Sequence, residues 1–211
     1  MILRHKLYVL FGVATISLGI STAALAEIKI NGELSGNLAV TSTYMWRGKP
    51  QSTDAAVQGG VDYVDPIGLV LGAWTSNVSN GSELDLVIAY AGNAKNIDFG
   101  GGLIVYRFPQ ADGDFEEFYA HIGQGGLSAK FSTSSDYGQY FEFAGVIPIT
   151  TWDMTLHFGY YDVDNDPNYA DYSVVFTKPF DRYKLAFMLS DTDLSGDSYR
   201  TTVSLSTDFK P

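Results

Sequence analysis

Large apolar residues alternate with small or polar residues along most of this chain, in runs of roughly ten residues separated by turn residues. In the clearest run, 152–161, Leu156 and Phe158 lie on one face and Thr155 and His157 on the other. A period of two residues is the pattern of a β-strand with one apolar face. About twelve such runs can be counted, bounded roughly at 34–46, 56–64, 69–77, 83–92, 97–108, 115–124, 127–134, 139–148, 152–161, 170–178, 183–190 and 198–209. The pattern predicts an all-β fold, an antiparallel up-and-down transmembrane β-barrel of about 12 strands.

The apolar face could be packed against a core or could face lipid. In strand after strand it carries bulky Trp, Phe, Tyr and Leu, whereas the other face is rich in Gly, Ala, Ser and Thr. Outer-membrane barrels have this distribution, with apolar side chains toward lipid and small or polar ones toward the lumen. We expect lipid contacts from Leu86, Leu103, Leu156, Phe158, Leu185 and Phe187. A soluble periplasmic barrel would show the same alternation and remains the alternative.

The register of one strand pair follows if residues 94–95 form a two-residue hairpin loop. Tyr90 would then lie opposite Phe99, and Leu86 opposite Leu103, so that large apolar side chains share one face. A slip by one residue would mix the two faces, so the pairing is well specified.

The first 26 residues have the composition of a secretory signal peptide. Arg4, His5 and Lys6 form a basic head, residues 7–20 are apolar, and residues 24–26 (Ala-Leu-Ala) give the small-x-small cleavage pattern. We therefore predict a signal peptide at 1–26, an outer-membrane β-barrel at 27–211, and location in the cell outer membrane. A transmembrane anchor is disfavoured because the apolar run is short. No later apolar run reaches the length of a membrane helix, so strands must make any membrane span.

Composition excludes several classes of partner and chemistry. The formal net charge of −11 disfavours binding to nucleic acid, whose phosphates would repel the chain. The absence of cysteine excludes disulfides and thiolate metal sites. We predict no cofactor.

The acidic residues concentrate in the connections that follow the odd-numbered strands. If the N-terminus is periplasmic, these connections form the outer end of the barrel, where loops are usually longer. The predicted outer mouth comprises Asp112, Asp114, Glu116, Glu117, Asp162, Asp164 and Asp166. Against fourteen acidic residues at this end we count only two basic ones, Arg47 and Lys49.

Charged residues on the small face are predicted to line the lumen. The predicted pore-lining set is Arg47, Asp62, Asp85, Asp98, Lys130, His157, Lys184 and Arg200. Arg47 could select anions, or it could form a salt bridge with Asp54 or Asp62, and the pairing is favoured because lumen charges usually pair.

Two acidic segments are candidates for cation sites. Residues 162–166 begin like a calcium loop, but Pro167 stands where the turn needs Gly and Ser173 where a bidentate Glu is needed. Residues 191–197 also lack the distal Glu. We interpret both as solvated loops and predict no metal site.

Catalysis needs a nucleophile and a base within reach of each other. If residues 149–150 form a two-residue loop, Glu142 lies opposite His157 on the inward face, but no serine is placed beside them. We interpret the two as a polar pair in the lumen and predict that the protein is not an enzyme.

Four segments resemble the TorF family of porins, in the family's order and spacing. They are 42–48 (STYMWRG), 57–63 (VQGGVDY), 68–78 (GLVLGAWTSNV) and 83–86 (ELDL). The resemblance implies an outer-membrane barrel and leaves the solute open.

These observations predict a porin that allows passive diffusion or uptake of small polar solutes, with a preference for cations. The expected partners are outer-membrane lipid, lipopolysaccharide, the barrel assembly machinery and small polar solutes. The competing hypothesis is a closed, non-conducting barrel with a structural or adhesion role.

Overall fold

The computed structural model describes residues 32–164 and 166–210, so the predicted signal peptide lies outside the described residues. Of the fourteen strands, β1 and β4 to β14 form a closed antiparallel barrel of twelve. Each barrel strand pairs with the next barrel strand along the chain, so that β1 pairs with β4, and β1 also pairs with β14 to close the barrel. The strands are β1 (Glu33–Thr41), β2 (Met45–Trp46), β3 (Lys49–Pro50), β4 (Ala56–Val64), β5 (Leu69–Val78), β6 (Gly81–Ala94), β7 (Ile97–Arg107), β8 (Phe115–Gln124), β9 (Leu127–Ser134), β10 (Gly138–Ile149), β11 (Trp152–Asp162), β12 (Tyr169–Phe180), β13 (Tyr183–Thr192) and β14 (Arg200–Phe209). The predicted all-β barrel of about 12 strands is confirmed. Within the described part of the chain, no helix is long and apolar enough to cross a membrane.

One predicted strand is too long. The run 34–46 is predicted as a single strand, but β1 ends at Thr41, and Met45–Trp46 forms a separate two-stranded sheet with Lys49–Pro50. This small hairpin, β2–β3, is not part of the barrel wall.

The two ends of the barrel differ in their connections. At one end, which we call the turn end, the connections are residues 65–68, 95–96, 125–126, 150–151 and 181–182. The other end, the loop end, carries the longer connections 42–55, 108–114, 163–168 and 193–199. Glu33 and Lys210 form an ion pair at 2.6 Å, so the two ends of the described chain meet at the turn end. The expected charge layout needs one correction, because Arg107 and Arg200 also lie at the loop end.

The outer face carries the large apolar side chains. Leu86, Leu156, Phe158 and Phe187 each expose between 40% and 45% of their surface there. Apolar area of this extent is unusual on a protein surrounded by water. An exposed apolar band around a closed barrel is the pattern of a membrane-spanning sheet.

The predicted register of β6 and β7 is wrong by two residues. The hairpin loop is Lys95-Asn96, with φ of 53° and 66°, and Tyr90 lies opposite Gly101 rather than Phe99. A two-residue hairpin loop favours residues that accept positive φ, and Asn does so more readily than Ala. A shift of two residues keeps each side chain on its own face, so the division into faces is unaffected.

The same two-residue shift occurs between β10 and β11. Thr150 and Thr151 form the loop, so His157 lies opposite Ala144 and Glu142 opposite Gly159. The predicted opposition of Glu142 and His157 is therefore wrong.

Part of the lumen is filled by apolar side chains. Val70, Ala89, Ile104 and Tyr119 face inward from β5 to β8 and are buried in one cluster. Ala89 lies opposite Gly102, where an added Cβ would come within 2.4 Å of the Ala89 Cβ. The lumen beside these strands is therefore a packed apolar core. The sequence predicted a polar lumen and did not indicate this core.

Candidate functional site

The first long connection, residues 42–55, folds into the barrel as the β2–β3 hairpin. Its turn has Arg47 at φ 47° and Gly48 at φ 75°, the positive values that a tight two-residue hairpin needs. A Cβ on Gly48 would lie 2.6 Å from Cγ2 of Thr192 and 2.7 Å from Cβ of Asp171. Glycine is thus required here by conformation and by close contact with β12 and β13.

Hydrogen bonds hold the start and the end of this connection to the parts of the barrel that flank it on either side. The backbone N of Ser42 donates to the carbonyl of Val203 at 2.9 Å, and the backbone N of Val203 donates to Oγ of Ser42 at 3.1 Å. On the other side, the backbone N of Ser79 donates to the carbonyl of Gln51 at 2.8 Å. The hairpin therefore enters the lumen from a fixed base.

Trp46 packs the hairpin against the far wall. Its ring centroid lies 6.4 Å from that of Tyr106, 6.2 Å from Phe115 and 5.9 Å from Tyr161. These rings belong to β7, β8 and β11, opposite the strands that carry the hairpin. The hairpin thus crosses the lumen at the loop end.

Arg47 forms a buried ion pair with Glu117, and its guanidinium also lies 4.3, 4.2 and 4.7 Å from the ring centroids of Trp46, Tyr140 and Tyr161. The two paired side chains are only 7% and 1% exposed. Burial alone would lower the pKa of Arg47, but the Glu117 carboxylate outweighs it and holds this pKa above its ordinary value. Removing one partner of such a pair leaves an uncompensated buried charge, so the intact pair holds the hairpin in place. We call the Arg47–Glu117 pair the latch.

This contact corrects two predictions. The partner of Arg47 is neither Asp54 nor Asp62, as expected from proximity in sequence, but Glu117. Glu117 is predicted to lie at the outer mouth, yet it faces the lumen because it shares the inward face of β8 with Phe115 and Tyr119. The alternation of β8 places Glu116 outward and Glu117 inward. This alternation was the feature of the sequence that could have placed Glu117 in the lumen.

A hydrogen-bonded group lies beside the latch. Asp171 contacts Nε2 of His157 at 2.8 Å and accepts from the Tyr140 hydroxyl at 2.9 Å. The Tyr169 hydroxyl donates to the Arg47 carbonyl at 3.1 Å, and Nζ of Lys49 lies 4.5 Å from the Tyr169 ring centroid. Asp171 and Tyr140 were not among the predicted lumen residues, although both lie on the inward face of their strands.

The other predicted lumen residues face inward but do not form one cluster. Asp62, Asp85, Asp98 and Lys130 are distributed over β4, β6, β7 and β9. Lys184 pairs with Asp208 at the turn end, and Arg200 pairs with Asp197 of the last loop. The remaining predicted mouth residues are exposed at the loop end: Asp112, Asp114, Glu116, Asp162, Asp164 and Asp166.

Burial of the inward side chains changes along the barrel axis. Near the hairpin they are buried, as for Glu83, Glu117 and Thr192. Toward the turns they are half-buried on β11 and β13, as for Thr155 and Ala186, but stay buried on β5 and β6, as for Val70 and Ala89. We call these regions the loop half and the turn half of the lumen. The hairpin thus closes down the loop half, while the turn half is more accessible on the side of β11 and β13.

The fold and this lumen define the class of protein: a closed, twelve-stranded barrel of the porin type. The chain belongs to a family described as bacterial protein of unknown function (Gcw_chp), whose profile matches residues 26–210. The TorF name is not confirmed by this match.

Solved porin structures share the fold. The KdgM porin has a TM-score of 0.62 at 10% identity, covering 83% of this chain and 99% of that one. The NanC porin has a TM-score of 0.60 at 9% identity, covering 82% and 98%. The KdgM porin in complex with disordered oligogalacturonate has a TM-score of 0.59 at 8% identity, covering 84% and 99%. No curated protein sequence matches this chain.

Proposed function

We propose that this protein is an outer-membrane channel for passive diffusion or uptake of small polar solutes, and that it prefers cations. One observation carries the proposal: a closed barrel presents bulky apolar side chains outward and charged side chains inward. A channel has no need of a catalytic site, so we propose a non-enzymatic role.

Location in the outer membrane is supported by the closed sheet, which leaves no unpaired edge in lipid among the described strands. The proposal therefore includes export by the predicted signal peptide, insertion by the barrel assembly machinery, and contact with lipid and lipopolysaccharide. The test is fractionation with heat-modifiable gel mobility. We expect the protein in the outer-membrane fraction, with folded and heated forms that migrate differently. Recovery as a soluble periplasmic monomer without detergent would refute the location.

The preference for cations is supported by the charges that face the lumen. Acidic residues outnumber basic ones among the charges that face the lumen: Asp62, Glu83, Asp85, Asp98, Glu117, Glu142, Asp153, Asp171 and Asp208 stand against Arg47, Lys49, Lys130, Lys184 and Arg200. A negatively charged pore concentrates cations and repels anions. The KdgM structure contains oligogalacturonate, a polyanion. For this chain we propose neutral or cationic solutes instead.

The reversal potential across a low-salt gradient in planar bilayers tests this preference. We expect the sign of a cation-selective pore, fading near 1 M salt, where the screening length falls to about 3 Å. Neutralising the rim residues Asp112, Asp114 and Glu116 together should reduce selectivity, whereas Lys95→Ala at the turn end should change it less. A preference for anions would overturn the proposal and direct attention to Arg47 and Lys49.

A second candidate, the closed barrel with a structural or adhesion role, is favoured by the hairpin across the loop half. It predicts no conductance from the wild-type protein under any salt condition.

A further inference from the structure

A carboxylate lies between two aromatic rings on the inward face of β5, β6 and β7. Asp85 is the direct cross-strand neighbour of Trp74 on one side and of Tyr106 on the other. All three side chains point into the lumen, because they share the inward face with buried Ser76, Glu83 and Ile104.

The base of the hairpin encloses this row from the loop end. The Tyr44 ring packs edge-on to Trp74 with centroids 5.6 Å apart, and its hydroxyl contacts Oε1 of Glu83 at 3.4 Å. Burial and the nearby Glu83 carboxylate both raise the pKa of Tyr44, which keeps the hydroxyl neutral. We name the acidic-aromatic site by these five residues: Tyr44, Trp74, Glu83, Asp85 and Tyr106.

The described part of the chain leaves the charge of this site uncompensated. Glu83 and Asp85 lie close enough to repel each other or to share a proton, and neither forms an ion pair with a basic side chain of residues 32–164 or 166–210. Oδ1 of Asp85 and Nε1 of Trp74 are buried without a hydrogen-bond partner in the same ranges. A buried carboxylate is costly unless a cation or a donor reaches it. The site therefore has the chemistry to attract a positive charge.

The same lumen shows how such a site receives a cation. The Arg47 guanidinium lies against three rings, those of Trp46, Tyr140 and Tyr161, and pairs with Glu117. The acidic-aromatic site offers the same combination, three rings and a carboxylate, with a second carboxylate in addition. Asp85, Trp74 and Tyr44 each retain partial exposure, so a solute can reach the edge of the site from the lumen, and a shift of the side chains would uncover the buried Oδ1 of Asp85 and Nε1 of Trp74.

We propose that the acidic-aromatic site binds the ammonium group of small organic cations, a role in passage that rests on the proposed channel function. Aromatic faces attract ammonium groups, methylated ones in particular, and the carboxylates supply the opposite charge. Once uncovered, the unpaired N–H of Trp74 can donate to an oxygen of the same solute.

Binding can be measured without a membrane. The full chain, folded in a maltoside detergent that lacks ammonium groups, is titrated with choline and with tetramethylammonium by calorimetry and tryptophan fluorescence. We expect saturable binding of both. Asp85→Asn should weaken it by about tenfold or more, because the quaternary ammonium group loses the opposite charge of the carboxylate. Asp153→Asn, which removes the same charge from the inward face of β11 at the turn end, is the matched control and should leave affinity unchanged.

Variants at Trp74 separate the roles of its ring and its N–H. Trp74→Phe keeps an aromatic face, so it should retain tetramethylammonium and weaken choline, which carries a hydroxyl. Trp74→Leu should weaken both. Heat-modifiable mobility verifies folding of each variant, and Glu83→Gln replaces Asp85→Asn if the latter does not fold.

The inference is overturned if the wild type shows no saturable binding, if Asp85→Asn and Glu83→Gln bind as well as the wild type, or if neutral glucose binds equally. Failure of the channel proposal is distinguishable, because a barrel that binds choline in detergent but passes no current would overturn conduction alone.

Discussion

The two halves of the lumen are enclosed by the same strands but filled differently. In the loop half, the β2–β3 hairpin brings Trp46 and Arg47 against the far wall, and the inward side chains are buried. In the turn half, inward residues such as Thr155 and Ala186 keep part of their surface accessible. The difference shows that the loop half is closed by one hairpin and the ion pair that holds it, whereas wall side chains of β5 to β8 fill only one side of the lumen.

The largest effect should come from breaking the latch on one side. Arg47→Ala leaves Glu117 buried and unpaired, which should cost about 3–5 kcal/mol of stability. Arg47→Ala combined with Glu117→Gln removes the charge as well and should recover part of the loss. Unfolding by urea in micelles or vesicles measures both. Equal stability of wild type and Arg47→Ala would contradict a buried latch.

The outer and inner faces of the turn half should differ nearly as much. Leu156→Arg puts a charge on the lipid face and should cost about 2–4 kcal/mol near mid-membrane. Thr155→Arg, one residue away on the accessible lumen face, should cost less because the guanidinium can reach water. The comparison is a folding equilibrium in lipid vesicles. If the order reverses, the assignment of faces is wrong.

The hairpin turn offers a test with a matched glycine. Gly196 in the last loop has φ 82°, and no atom of the described residues lies within 4 Å of where a Cβ would stand. Gly196→Ala should therefore cost only backbone strain of about 1–2 kcal/mol. Gly48→Ala adds the collision with Asp171 and Thr192, so its cost should be larger. Thermal unfolding of the two variants measures the difference. Equal costs would mean that the hairpin is not seated against β12 and β13.

A smaller effect is expected from alkaline pH. A basic group whose pKa is raised in the folded state keeps its stabilising charge below its ordinary pKa and loses it only as the pH rises through the raised value. Since the pKa of Arg47 is raised, going from about pH 7 to about pH 10 should leave the hairpin in place. Tryptophan fluorescence should change little over that interval. A cooperative transition there would show that another group controls the hairpin.

Strand number and the two faces were predictable because the alternation is local and repeats in every strand. The register was predicted only to within two residues, since a shift of two preserves every face. Asn96, which tolerates positive φ, was the signal for the correct turn.

The hairpin could not be predicted in the same way. Met45 and Trp46 continue the apolar pattern of β1, and Arg47 finds its partner 70 residues away in Glu117. Only the closure of the barrel brings β8 opposite the hairpin. The inward position of Glu83, in contrast, followed from its alternation with Asp85 and was available from sequence.

Single-channel conductance in planar bilayers, recorded for the wild type and for Arg47→Ala combined with Glu117→Ala, tests the proposed channel and its local closure most directly. We expect a small, cation-selective conductance for the wild type and a larger one for the variant, because releasing the hairpin opens the loop half. If neither protein conducts, although both are folded and inserted, the barrel is closed by more than its hairpin and the channel function is contradicted.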